Sequence, residues 1–391
     1  MGQNVIRYIG GTEIIDQNNR MNSIYIHIPF CLAKCHYCGF NSRPLEQPAE
    51  LKNYFQALVR EIEGQRTEIS SIKTIYFGGG TPTIAPARLI ENTVNALRPW
   101  APEAELTIEA NPGTVSPEKL KALREMGFNR LSLGVQSFND GLLEKLGRRH
   151  TARQAVKAFE LGVKAGFANI SLDLIYALPG QSLSDWKKDL ASALSLGPRH
   201  LSLYSLTYER NTEFKKQKAE GRITPCDEEL EADMYLEAVD RLGRAGLKRY
   251  EVSNFAQNGF CSRHNINYWR AGDYLGFGAG AHSHRGGKRW SNARNIERYL
   301  RSVNGGKSPS YFRETISPEQ QRFEALFLGL RMTAGIDIES FQRRFGISPL
   351  EHKPQVWLRW KEQGWAEWNK SKLRLTPKGL LLADGLAVEL A

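Results

Sequence analysis

Cys31, Cys35 and Cys38 sit within eight residues, in the run Pro29-Phe30-Cys31-Leu32-Ala33-Lys34-Cys35-His36-Tyr37-Cys38. Three thiolates at this spacing can hold three irons of a four-iron cluster, a centre that usually takes four cysteines. The fourth iron is then left open, and an open metal position is where a substrate coordinates. Other chemistry fits the same spacing. Offsets of four and seven fall on one helix face and suit packed core cysteines. A zinc site completed by His27 or His36 is a further reading. A disulfide has no support, because no signal peptide points to an oxidising compartment.

Such a loop needs a scaffold, and the chain supplies a repeated strand–helix alternation. β-rich runs fall at Ile24–Ile28, Thr74–Phe77, Leu106–Ile108, Leu131–Val135, Ile170–Ile175 and Leu201–Leu206. Helical apolar spacing lies between them, at Leu51–Ile62, Pro86–Leu97, Pro117–Met126, Ala152–Ala165 and Leu183–Leu194. Pro86 and Pro117 suit first helical turns, and Gly127 and Gly166 suit helix ends. Six βα units imply a parallel sheet with helices outside, an incomplete βα barrel. Tyr250–Phe255 reads as an extension of that sheet. In such barrels chemistry gathers where strands end. The cysteine loop follows the first strand here, and Gly78-Gly79-Gly80-Thr81-Pro82 the second. Glu109–Gly113 follows the third and Gly134–Phe138 the fourth, while Asp173 lies in the fifth and Tyr204 and Ser205 close the sixth. All should point into one mouth.

From about Lys307 the pattern changes. Pro318–Leu330, Ile338–Phe345, His352–Gln363 and Pro377–Leu386 read as helices. Trp365–Trp368 and Leu373–Leu375 read as a hairpin, a winged-helix-like unit. The expected organisation is an N-terminal extension over 1–21, a partial (β/α)6 barrel over 22–306 and this small α/β unit over 307–391.

Composition narrows the classes. At 391 residues the chain is long enough for two domains. Its 41% hydrophobic and 24% charged content is that of a globular protein. No apolar run reaches the roughly 18 residues of a membrane span. Five cysteines, three of them clustered, make no disulfide framework. A cytoplasmic chain is expected. The net charge of +11 suits an anionic partner. The cations are scattered in pairs, however, and no stripe of interleaved aromatic and basic residues argues for nucleic acid.

Taken in order, these motifs resemble the radical S-adenosylmethionine (SAM) superfamily. Tyr25-Ile26-His27 before the cysteine loop, Gly78–Pro82, Glu109–Gly113, Gly134–Phe138 and Asp173–Gly180 narrow the resemblance to the oxygen-independent coproporphyrinogen III oxidase group. The resemblance implies a [4Fe-4S] cluster on Cys31, Cys35 and Cys38, with SAM on its open iron. It implies SAM contacts from Tyr25, Gly79, Gly80, Thr81, Glu109, Gln136, Arg148, Asp173 and Ser205. Glu109 and Asp173 are acceptors for an amine or ribose hydroxyls. Arg148 suits a carboxylate. The glycines bring backbone close to the cofactor, or simply make a tight turn.

Two features select a branch. The oxidases carry a further cysteine two places after the third, where this chain has Phe40. His264-Asn265-Ile266-Asn267-Tyr268-Trp269 resembles the HNxxYW motif of the HemW haem chaperones. That resemblance implies haem as cargo, with His264 as the candidate haem ligand and Arg263 and Arg270 as partners for propionates. His282, His284 and Cys261 are rival ligands, and a hydrogen-bonded brace is the structural alternative for the motif. It further implies delivery to haem-requiring respiratory enzymes at the inner membrane, peripheral association there, and a homodimer. The enzymatic alternatives are decarboxylation of coproporphyrinogen III and a radical SAM methyl transfer.

Overall fold

A computed structural model of the chain describes residues 21–391. The extension expected over 1–21 therefore lies outside the described residues, except for Met21.

Twelve strands matter for the site: β1 (Met21–Ile28), β2 (Ile69–Gly79), β3 (Glu105–Ala110), β4 (Arg130–Gln136), β5 (Asn169–Tyr176), β6 (His200–Ser205), β7 (Lys248–Arg249), β8 (Asn254–Ala256), β9 (Leu275–Phe277), β10 (His282–Arg285), β11 (Lys288–Asn292) and β12 (Ser310–Thr315). Among the described residues, the first nine form one sheet in the order β9-β1-β2-β3-β4-β5-β6-β8-β7. The run from β9 to β6 is parallel, and β8 and β7 are added antiparallel. The edge strands β9 and β7 do not pair with each other, so the barrel stays open.

The helices that cover this sheet include α1 (Pro48–Gly64), α2 (Ala87–Ala96), α3 (Pro117–Met126), α4 (Ala152–Lys164), α5 (Leu183–Ser195) and α6 (Glu228–Arg244). Their boundaries are set by local chemistry. Ser116 caps α3 by accepting from Lys119 N, Pro117 opens it, and Gly127 ends it at φ 107°. Thr151 and Gln154 form a capping box on α4.

Alternation along the strands explains the two-sided sheet. Ile24, Ile26 and Ile28 of β1 and Ile75 and Phe77 of β2 are buried in the main apolar core. The intervening Tyr25 and Tyr76 are register partners, so both point to the opposite face, the barrel lumen. That lumen is polar: Tyr25, Tyr76, Glu109, Arg130, Ser132, Ser171, Asp173 and Ser202 line it.

Three details go beyond the expectations or against them. Tyr250–Phe255 extends the sheet only at its end, through Asn254 and Phe255 of β8. Glu251 bridges Met332 and Val252 N donates to Arg331 O, so the first part of the segment meets the C-terminal unit instead. Leu275–Phe277 adds an edge strand that its glycine-rich surroundings hid. Pro377–Leu386 is two helices, Pro377–Leu380 and Ala383–Glu389, broken at Leu381 and Leu382. A second apolar core runs from Leu326 to Leu390 around Trp357 and Trp360, whose rings meet edge to face at 5.0 Å. Beside the barrel, β10, β11 and β12 form a separate antiparallel sheet.

Candidate functional site at the mouth of the barrel

The cysteine loop begins as β1 ends. It is closed by Arg43 N donating to Pro29 O at 2.9 Å and Leu45 N to Cys31 O at 2.9 Å. The Lys34 ammonium draws its far side together, on Phe40 O at 2.7 Å and Ser42 O at 3.1 Å. His36 docks the loop on the fourth βα connection, through Nδ1 to Lys145 O at 2.9 Å. His27 Nε2 bonds Asn41 O at 2.8 Å and its Nδ1 bonds the Tyr25 hydroxyl at 3.0 Å. Of the two histidines considered as zinc ligands, His27 is thus held through both ring nitrogens and His36 through Nδ1.

The three cysteines are free and half-buried. Among the described residues, no three His, Cys, Asp or Glu side chains converge as a single ion would require. A cubane makes no such demand, since each thiolate binds its own iron. Donors from neighbouring strand ends reach two of the sulfurs. Thr81 Oγ1 lies 3.6 Å from Cys31 Sγ, and Arg148 Nη1 lies 3.6 Å from Cys35 Sγ. Burial pushes the Cys31 thiol up, hydrogen bonds from Thr81 and Ser42 oppose this, and the Cys38 and Cys35 charges add to it. Arg148 and Thr81 are the compensation a charged thiolate group needs. The donor set fits a three-cysteine cluster.

The glycine turn after β2 packs against this loop. Gly80 N donates to Ile28 O at 2.7 Å and Thr81 N to Phe30 O at 2.8 Å. A Cβ on Gly79 would sit 2.6 Å from His27 Cε1, at φ 108°, and one on Gly80 would sit 2.5 Å from Phe30 O. The glycines therefore permit contact between two strand ends, the turn reading given above. Asn111 ties the next strand end in, donating to Thr81 Oγ1 at 3.0 Å and accepting from Arg148. Arg148 also donates to Gly134 O, and its buried Nε has no partner within the protein.

Deeper in the mouth, Tyr76 donates to Glu109 Oε1 at 2.7 Å. Burial raises the Glu109 carboxyl to about 7, the Tyr76 bond opposes this, and the Asp173 charge adds to it. Asp173 accepts from Ser132 at 3.0 Å and Ser171 at 3.2 Å, and burial raises it as well. A bound cation would reverse both shifts, which suits these carboxylates to an amine or sulfonium. Gln136 holds φ 69° at a bulge where the β4–β5 register shifts between Gly134 and Gln136. A left-handed non-glycine residue there is a strained conformation of the kind found at binding sites. Ser205 donates to Glu231 Oε1 on α6 at 2.5 Å. The mouth thus gathers Tyr25, Gly79, Gly80, Thr81, Glu109, Gln136, Arg148 and Asp173, with Ser205 at its α6 side. Tyr76, Asn111 and Ser132 belong to the same network and were not singled out from sequence. Tyr76 had a signal, its alternation with Ile75 and Phe77.

His264 lies elsewhere. It belongs to α7 (Arg263–Trp269), which plugs the opposite, N-terminal end of the barrel. Glu105 at the start of β3 accepts Arg263 N at 3.0 Å and His264 N at 3.1 Å. The imidazole is 1% exposed and stacks on Tyr76 at 5.1 Å. Nδ1 bonds Thr74 Oγ1 at 2.8 Å and Nε2 bonds the Tyr268 hydroxyl at 2.9 Å. Burial, then the Arg130 charge, lowers its pKa to about 3, so it is neutral. With both nitrogens engaged, it offers no lone pair to iron. In this arrangement the imidazole links Thr74 to Tyr268, the hydrogen-bonded brace considered above as the alternative to a haem ligand. Arg263 donates to Glu103 O at 2.7 Å and Trp269 lies under Arg331. His282 is exposed, His284 pairs with Asp273 at 3.3 Å, and Cys261 is half-buried.

Comparison with known proteins follows the same division. Residues 25–193 match the model of the Radical SAM superfamily, and residues 316–382 that of the HemN C-terminal domain. The chain is 40% identical over 371 residues to heme chaperone HemW of Bacillus subtilis (strain 168), covering 93% of this chain and 97% of that one. It is 40% identical over 265 residues to heme chaperone HemW of Escherichia coli (strain K12), covering 66% and 69% respectively. The solved structure of coproporphyrinogen III oxidase (HemN) from Escherichia coli superimposes with a TM-score of 0.83 at 22% identity, over 95% of this chain and 90% of that one. That likeness shows the fold, a radical SAM partial barrel with a HemN-type C-terminal unit.

Proposed function

The chain belongs to the HemW family of radical SAM proteins, and from that premise we propose that it binds haem and passes it to haem-requiring proteins of respiration. The observation that carries this reading is the 40% identity to the Bacillus subtilis haem chaperone across 97% of that protein. The superfamily brings a [4Fe-4S] cluster and SAM, and reductive cleavage of the sulfonium is the chemistry they supply when bound. Cys31, Cys35 and Cys38 hold the cluster in this proposal. Arg148 and Thr81 offset thiolate charge. Glu109 and Asp173 receive the cationic end of SAM, Tyr25 and Gln136 border it, and Gly79 and Gly80 keep the turn tight beside it. Ser205 orients through Glu231.

Phe40 supports the chaperone over the oxidase. It stands 68% exposed at the lip of the cluster loop, where the oxidases place a thiol. No helix among the described residues is long and apolar enough to cross a membrane. Peripheral attachment at the inner membrane and a homodimer are part of the same proposal.

The test is a haemin titration of anaerobically reconstituted protein, followed by transfer to an apo-acceptor from a respiratory enzyme. A shifted Soret band and reconstituted acceptor are expected. No Soret change would remove the haem reading. Protoporphyrinogen formed from coproporphyrinogen would favour the oxidase, and a methylated product the methyltransferase.

A further inference from the structure

Arg60, Arg285, Lys288, Arg289, Lys307 and Arg313 line a cleft of about 1030 Å³. It lies between the antiparallel β10–β12 sheet and the C-terminal ends of α1 and of α8 (Ile296–Asn304). Ligand pockets usually span roughly 300–1,000 Å³, so the space suits a large small molecule. Trp290, packed against the main core, supplies an aromatic wall.

Among the described residues, the acidic members of this lining, Glu61 and Glu314, do little to neutralise it. Glu61 is consumed inside the fold, accepting from Tyr299 at 2.6 Å, Asn292 at 2.6 Å and Gly278 N at 2.9 Å. Glu314 is paired with Arg289, which also reaches Glu324 at 3.2 Å. Lys288 and Lys307 are exposed, and among the described residues neither joins an ion pair. Among the described residues, the Arg313 guanidinium bonds the Ser308 and Ser310 hydroxyls and joins no ion pair. A concave, aromatic-walled space with surplus cations at its rim matches a flat apolar body bearing two carboxylates.

We infer that this cleft is the haem seat, with the propionates on the Lys288–Lys307–Arg313 rim and the macrocycle against Trp290. The inference rests on the haem reading above and gives it a place. It also gives the buried motif helix a use. Tyr268 meets Tyr274 edge to face at 4.6 Å, and Tyr274 exchanges backbone hydrogen bonds with His284 of β10 at 2.8 and 3.0 Å. The brace around His264 thereby positions the strand that leads into the cleft wall.

The test compares haemin binding, read at the Soret band, for wild type, Lys288→Glu/Lys307→Glu and the charge-keeping Lys288→Arg/Lys307→Arg. Both lysines are exposed, so folding is checked by unfolding temperature and cluster absorbance, which should not move. The reversal should raise Kd at least about tenfold while the arginine pair holds it, since carboxylate contacts to a cationic rim are charge-assisted. As a second probe on wild type, haemin dimethyl ester should bind at least about tenfold more weakly than haemin. Wild-type binding that ignores both the reversal and the ester would overturn the cleft and leave the haem reading intact. Failure of wild type to bind haemin would overturn that reading itself.

Discussion

The two ends of the barrel carry the same kinds of residue and do different things with them. At the mouth, a cysteine loop, a glycine turn and the carboxyls of Glu109 and Asp173 meet with charge left to satisfy. At the base, Glu105, Thr74, Tyr268 and His264 answer one another donor for acceptor. A polar side chain in a family motif is therefore a ligand only where its partners are not already supplied by the fold. Arg130, buried between the ends, acts on both: its charge favours ionised Asp173 and disfavours protonated His264.

The largest effect belongs to the mouth. Cys35→Ala should abolish the cluster, measured as loss of bound iron and of the brown absorbance after anaerobic reconstitution. Unchanged iron content would remove the cluster assignment. Next comes the base, where Glu105→Ala strips the acceptor from two backbone donors of α7. A stability loss of about 2–3 kcal/mol is expected in chemical denaturation, since the donors stay buried. A loss near zero would mean that α7 is not anchored there. Glu109→Gln should weaken SAM binding about tenfold, as one charge-assisted contact is lost. Its stability should not fall, because the amide oxygen still accepts from Tyr76, and it should gain on wild type as pH rises from 4.5 toward 7, where the buried Glu109 carboxyl ionises at a cost. Equal SAM affinity would move the cofactor's cationic end away from Glu109.

The remaining effect is a slope rather than a fixed loss. His264 has a folded pKa of about 3 against 6.5 for an ordinary imidazole. The unfolded chain then binds the extra proton, so this contribution is complete above pH 6.5 and falls away as pH drops toward 3. His264→Gln should lessen the acid loss of stability between pH 6.5 and 4 by up to about 1.4 kcal/mol per pH unit. Glu61 and Glu109, both raised to about 7, act in the opposite sense but equally in both proteins. Parallel pH profiles for wild type and variant would mean that His264 is not held neutral.

The mouth was readable from sequence because its residues follow strands with strict apolar alternation. Ile24, Ile26 and Ile28 announce β1, and the cysteines come next. The C-terminal unit was readable down to Ile338–Phe345, whose left-handed Gly346 stop is a local signal. The rest depended on distant partners. Glu251 turns away from the sheet because Met332 meets it 81 residues later. The helix expected over Pro377–Leu386 is divided at Leu381 and Leu382, just after Gly379 packs on Trp365, where a Cβ would lie 2.0 Å from the carbonyl oxygen. His264 carries the residue type of a haem ligand, but its burial is decided by Thr74, almost two hundred residues earlier. No local pattern reports that.

The division between a cofactor mouth and a bracing base is tested most directly by one haemin titration, run on wild type and His264→Gln side by side. The expected result is a Soret band at the same wavelength in both, with at most a weaker affinity in the variant. A band lost or displaced in His264→Gln would make the imidazole an iron ligand and contradict the brace.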